Sequence, residues 1–142
     1  MNETIRKFGY PTTLVKEFEH WLVLLRPTQP TLGSLILAAK SDVTSFSALS
    51  EEAFTEQRQV VRSIETALAS FVGYSKINYL MLMMVDPHVH YHVIPRYEGV
   101  RQFGSLVFQD AGWPKVPALG EAVALDDRQI AALVAELAPR FE

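Results

Sequence analysis

The sequence predicts one domain that mixes short β-strands with two helices, and three observations lead there. The chain has 142 residues, 49% of them apolar and 20% charged, enough to bury a core of ordinary globular kind. Short runs rich in apolar, β-branched and aromatic residues recur at 12–18, 20–25 and 34–39, with Pro and Gly between them. One long segment with apolar residues at helical spacing then precedes two more apolar runs, at 77–85 and 88–94.

Taken in order, residues 12–18 and 20–25 read as two short strands, with His20 and Trp21 in the second. RPTQPTLG, residues 26–33, reads as a loop broken by Pro27, Pro30 and Gly33, and SLILAA, residues 34–39, as a buried strand. Ser50 is a good N-cap, because its hydroxyl can accept from free amides of the first helical turn. Glu51 and Glu52 suit the positive end of the helix dipole. Phe54, Val61, Ile64, Leu68 and Phe71 form an apolar face, Arg58, Arg62 and Glu65 a solvated one, and Gly73 a stop.

INYLMLMMV, residues 77–85, reads as a strand buried on both faces, with Met81, Met83 and Met84 as core filling. Asp86-Pro87 interrupts it, and a second strand is expected from His88 to Ile94, ended by Pro95 and paired with the first as a tight hairpin. Residues 97–125 are the least regular, with SLVF at 105–108 as the one strand candidate. Asp126 and Gln129 are spaced as a capping box for a last helix over 126–140, whose apolar face is Ile130, Leu133, Val134 and Leu137. No linker divides the chain, so residues 1–142 are expected to form one domain.

Composition narrows the function classes. The net charge of −3 offers no basic field for nucleic acid. There is no cysteine, which removes disulfides, thiolate nucleophiles and thiolate-ligated zinc. The N-terminal MNETIRKFGY has no apolar run of signal-peptide length, and the longest apolar stretch, residues 79–85, is far short of a membrane span, so a cytoplasmic protein without membrane partners is the expectation.

The chemistry concentrates in HVHYH, residues 88–92, which holds three of the four histidines at alternate positions. On a strand, alternate residues share a face, so His88, His90 and His92 would stand about 6.6–6.8 Å apart on one side while Val89, Tyr91 and Val93 pack on the other. Three unrelated histidines are one reading. A metal site is a second, though His88 and His92 would be about 13 Å apart and the carboxylate Glu98 falls one step beyond the useful spacing. A nucleophilic imidazole is a third. A neutral ring attacks through one nitrogen when the other holds its proton against an acceptor, and flanking imidazoles can donate to phosphate oxygens.

HVHYHVI, followed by PR, resembles the signature of the histidine triad (HIT) family, and GSLILAAKSDVTSFSALSEE resembles that family's glycine-strand-lysine segment entering a long helix. The likeness covers about residues 12–97. It implies an α+β fold with about five antiparallel strands, one long helix packed on them and a C-terminal helix. It also implies a homodimer and attack on the α-phosphorus of a nucleotide conjugate. His90 would be the nucleophile and His88 and His92 its positioning partners, with no metal or cofactor. Asn78 would lie on the phosphate side. A nucleotide-binding or protein-interaction module with little turnover is the alternative.

This chain departs from the family's pattern in four places. Ser34 follows Gly33 where a histidine is common; it could hydrogen-bond His92 or a water. Asp42 stands at a second such place, and Arg26 falls near the usual ribose-binding acid. MLMMVDP replaces the usual loop before the triad. Lys40 and Arg96 read as exposed solubilising charges, His20 as a surface histidine, and Trp113 and Phe108 as packing residues of the irregular tail.

Overall fold

A computed structural model describes residues 1–141. A five-residue helix, α1 (Glu3–Lys7), opens the chain, followed by strands β1 (Leu14–Glu17), β2 (Trp21–Leu25), β3 (Thr28–Gln29) and β4 (Leu35–Ala39). The long helix α2 (Glu51–Val72) leads into β5 (Lys76–Leu80) and β6 (His90–Arg96). Strands β7 (Val100–Phe103), β8 (Leu106–Gln109) and β9 (Val123–Ala124) then precede helix α3 (Asp127–Leu137). Five strands form one antiparallel sheet in the order β1-β2-β4-β6-β5.

The two-residue period of the central strands divides the apolar side chains between the sheet's faces. One face gives Trp21, Val23, Leu25, Leu35, Leu37 and Val93 to the main core, where α2 adds Val60, Ile64 and Leu68 and α3 adds Ile130, Leu133 and Leu137. The other gives Leu22, Leu24, Ile36 and Ala38 to a smaller cluster covered by Ile5, Phe8 and Tyr10. His90 and His92 pair with Ala38 and Ile36 in register, so they stand on this second face, away from both large helices.

Both large helices are capped as the sequence predicts. The Ser50 hydroxyl accepts from the Ala53 amide, and Gly73 closes α2 in the left-handed region at φ 58°. Asp126 and Gln129 form the reciprocal capping box of α3, which ends at Leu137 before a short 3-10 turn. The buried stripe of α2 runs through Ala53, Val60, Ile64, Ala67, Leu68 and Val72, whereas Phe54 is exposed and rests on Phe46. The helix is therefore rotated from the face that its largest side chains suggest.

Four expectations need correction. The run 77–85 is not a strand buried on both faces: β5 stops at Leu80, lies at the sheet edge and is only half-buried. Beyond it the chain leaves the sheet, with Met84 84% exposed and Val85 80%. Residues 81–89 thus form a long connection rather than a tight turn. Pro95 does not end β6. Its position faces the β4 side, where pairing has already stopped at Val93, so no ladder bond is lost, and its carbonyl accepts from the Thr31 hydroxyl at 2.7 Å. The irregular tail contains the β7–β8 hairpin, turned through Gly104 at φ 58°, and β9, which pairs with β3. Among the described residues, no helix is long and apolar enough to cross a membrane.

The rotation of α2 sets an expectation for stability. Ile64→Ala should cost about 2–4 kcal/mol, because it opens a cavity in the main core. Phe54→Ala should cost under about 1 kcal/mol, as expected for a surface change. Chemical denaturation of the two variants measures both, and equal losses would contradict the placement of the helix.

Candidate active site

The strand β6 begins at His90, so His90 and His92 project from one ordered face while His88 belongs to the incoming connection. Each histidine has a different neighbour on its Nδ1 nitrogen. The His90 Nδ1 lies 2.7 Å from the His88 carbonyl oxygen. A carbonyl can only accept, so Nδ1 carries the proton and the Nε2 lone pair of neutral His90 is left for chemistry. His92 is the reverse case. The Arg26 Nε donates to its Nδ1 at 3.3 Å, and a guanidinium has no acceptor, so the proton of neutral His92 sits on Nε2.

His88 is tied to the N-terminus. Its Nδ1 lies 2.8 Å from the Thr4 hydroxyl, which also accepts the His88 amide at 3.4 Å. The hydroxyl has one proton and two lone pairs, so it serves His88 in either neutral tautomer. The His90 and His92 rings meet edge to face with centroids 5.2 Å apart. His90 thus offers a nucleophilic nitrogen, and His92 offers an N–H donor for an oxygen of a tetrahedral anion.

His92 stays neutral over the physiological range. Burial, helped by the Arg26 charge and by His90, lowers its pKa from 6.5 to about 4, with Asp86 opposing. Asp86 is itself paired with Lys7 at 2.8 Å, a second tie between α1 and the connection before β6.

The N-terminal segment also covers the site. The Phe8 ring sits 5.5 Å from that of His90 and 5.8 Å from that of His92. His90 is 1% exposed and His92 8%. An open groove of about 540 Å³ runs along β5, lined by Asn78, Leu80, Arg96 and Trp113 among others and by none of the three histidines. Leu80 stands opposite His92 in register, and Asn78 stands opposite Ile94, one pleat further along the same face.

The other residues singled out in the sequence fall in different places. Asn78 accepts from the Arg96 Nη1 at 2.8 Å. Arg96 is not an exposed charge: it is buried and makes a two-point ion pair with Asp110, at 2.6 and 3.0 Å. Ser34 is fully buried and bonds Thr31 instead of His92, its hydroxyl donating to the Thr31 carbonyl at 2.8 Å. The reason is the tight loop at Gly33, which turns Ser34 back on its own segment; Arg26 fills the place beside His92. Lys40 pairs with Glu17 at 2.7 Å, and Phe108 is buried in the main core. Among the described residues, no cluster of three or more His, Asp or Glu groups is placed to hold a metal ion.

Sequence reasoning missed Thr4, Phe8, Gln29 and Asp110. Thr4, Phe8 and Asp110 act across the fold, and Gln29 acts inside the 26–34 loop. Only Arg26 was visible, as a basic residue where the resemblance leads one to expect an acid.

The fold has counterparts among known proteins. The family model described as HIT domain matches residues 8–99. The fold is similar to a histidine triad protein of Bradyrhizobium japonicum, at 19% identity and a TM-score of 0.76, covering 100% of this chain and 97% of that one. A histidine triad protein of Sinorhizobium meliloti is similar at 22% identity and a TM-score of 0.70, over 96% and 95% of the two chains. The diadenosine triphosphate hydrolase of Plasmodium falciparum is similar at 9% identity and a TM-score of 0.68, over 91% and 76%. No curated protein matches the chain.

The depressed pKa of His92 has a consequence for stability. The unfolded chain takes up the His92 proton near pH 6.5 and the folded chain only near 4, so acid favours unfolding across that window. The natural chain should lose up to about 3 kcal/mol from this group as pH falls from 6.5 to 4. His92→Asn should remove that part of the slope. Denaturation midpoints at several pH values measure it, and parallel slopes for the two chains would contradict the buried neutral ring.

Proposed function

The chain belongs to the histidine triad (HIT) family, and from that premise we propose that it is a nucleotide hydrolase or nucleotidyltransferase with His90 as nucleophile. The observation that carries the reading is the Nδ1–H bond from His90 to the His88 carbonyl, which leaves Nε2 free. In the first step the Nε2 lone pair forms a bond to the α-phosphorus, and the bond to the leaving group breaks with its electron pair going to that group. In the second step water attacks the same phosphorus, the nucleoside monophosphate departs and the ring nitrogen recovers its lone pair. His88 and His92 donate to the phosphoryl oxygens as charge shifts onto them. Dinucleoside polyphosphates and nucleoside phosphoramidates are the substrate classes that fit an attack of this kind.

The reading asks for one motion. With 1% of His90 exposed beneath Phe8, a phosphoryl group reaches Nε2 only when Phe8 gives way. Asn78 stands on the proposed approach to the site, at the groove along β5. A homodimer belongs to the same proposal. Its support is the edge position of β5, whose outer side pairs with no strand among the described residues, and the exposed Leu82, Met84 and Val85 that follow it.

The cover over His90 also favours a second reading, a nucleotide-binding module with little turnover. A nucleotide would then raise the melting temperature of the natural chain without being consumed.

His90→Asn should lower release of nucleoside monophosphate from a phosphoramidate or dinucleoside polyphosphate by about 10³-fold or more. Full activity in that variant would sink the mechanism. Phe8→Ala should raise kcat/KM by uncovering the ring; a fall would make Phe8 a substrate contact instead.

A further inference from the structure

We infer that Arg26 is a positioning residue that fixes His92 as an Nε2–H donor. The inference rests on the proposed activity for its purpose, but the ring state that it describes can be observed without any substrate.

Arg26 follows β2 directly and is itself held on several sides. Its Nη1 donates to the Thr28 carbonyl at 2.7 Å and to the Thr28 hydroxyl at 2.5 Å. Its carbonyl accepts from the Gln29 side-chain Nε2 at 2.6 Å, and its own backbone amide donates to the Ser34 carbonyl at 3.1 Å. Gln29 is almost wholly buried, and its side-chain oxygen accepts the Gly33 and Ser34 amides. The Thr31 hydroxyl donates to the Pro95 carbonyl, and the Leu32 amide donates to the Tyr97 hydroxyl, so the loop is fastened to β6 and to the chain just after it. An arginine held this way can present its Nε–H to His92 at little cost in side-chain entropy.

The other groups facing His92 cannot replace it. In register on the adjacent strands stand Ile36 and Leu80, both apolar, and Phe8 covers the ring. The charged or titratable groups acting on it are Arg26, His90 and Asp86, the last engaged by Lys7. Of these, Arg26 is the one hydrogen-bonded to the His92 ring among the described residues. Protonation at Nδ1 would set a second proton against the Arg26 Nε–H. The tautomer of His92 follows from that opposition, and the Arg26 charge adds to burial in keeping the ring neutral. A neutral Nε2–H ring donates to a phosphoryl oxygen and does not compete with His90 for the phosphorus.

The test is nitrogen NMR of histidine-labelled natural chain between pH 4 and 8, with the His92 signals assigned by their loss in His92→Asn. The expected spectrum at neutral pH has a bare Nδ1 and a protonated Nε2 on His92, titrating well below pH 6.5. Arg26→Ala should raise the His92 midpoint by about one unit or more, a tenfold change in proton affinity. Arg26→Lys should keep part of the lowering through its charge but mix the two tautomers. A protonated Nδ1 in the natural chain would overturn the inference even if both Arg26 variants fail to fold. So would an unchanged midpoint in a folded Arg26→Ala. Where turnover is present, Arg26→Ala should lower kcat about tenfold or more with a smaller change in KM; a change confined to KM would also overturn the role. Absence of turnover with the expected ring state would defeat the proposed activity and leave the role of Arg26 in setting that ring state intact.

Discussion

The period of β6 is the constraint on which the rest depends. One strand must serve a wholly apolar core and a polar site at once, and alternation lets it do so. Val93 faces the main core beneath α2, while His90 and His92 face away from it. A slip of one residue would exchange the two sets, placing imidazoles in the hydrocarbon interior and a valine at the site. The register is held by pairing on both sides, with β4 and with β5. The fold therefore positions the rings to within the tolerance of a hydrogen-bonded ladder, and the surrounding groups need only choose which nitrogen carries each proton.

Three unlike partners meet the rings, and two of them make that choice. A carbonyl of the preceding turn takes the His90 proton, a guanidinium excludes one from His92, and a threonine hydroxyl meets His88. The same ring type thereby takes two states, with a free Nε2 lone pair on His90 and an Nε2–H on His92. All three partners lie outside β6: the His88 carbonyl just before it, Arg26 after β2, and Thr4 in α1. A site built from parts this far apart in sequence depends on the loop from 26 to 34 and on the N-terminal segment as much as on the histidines. Their fastening explains why Gln29, Thr31 and Ser34 are buried although they are polar. Each is satisfied by that loop or by the strand beside it.

Much of the fold was legible where the signal is local. The caps of α2 and α3, the strands 14–17, 21–25 and 35–39, and the alternation of His90 and His92 can all be read from neighbours within a few residues. The failures have physical causes. Residues 81–85 are apolar enough for a core, yet they lie past the end of an edge strand and remain exposed, which hydropathy alone cannot distinguish. The helix α1 is five residues long and owes its order to tertiary packing, with Ile5 wholly buried. The β7–β8 hairpin turns on Gly104, one of several glycines in a stretch that reads as irregular. The buried Arg96–Asp110 pair joins residues on separate elements and leaves no spacing to notice.

Rapid quenching of the natural chain with a dinucleoside polyphosphate, followed by peptide mass spectrometry under alkaline conditions, tests the central chemistry most directly. A nucleotidyl group attached to the peptide containing His90, forming and decaying at the rate of turnover, is the expected result. Steady turnover with no adduct on that peptide, or with the adduct on another residue, would contradict it.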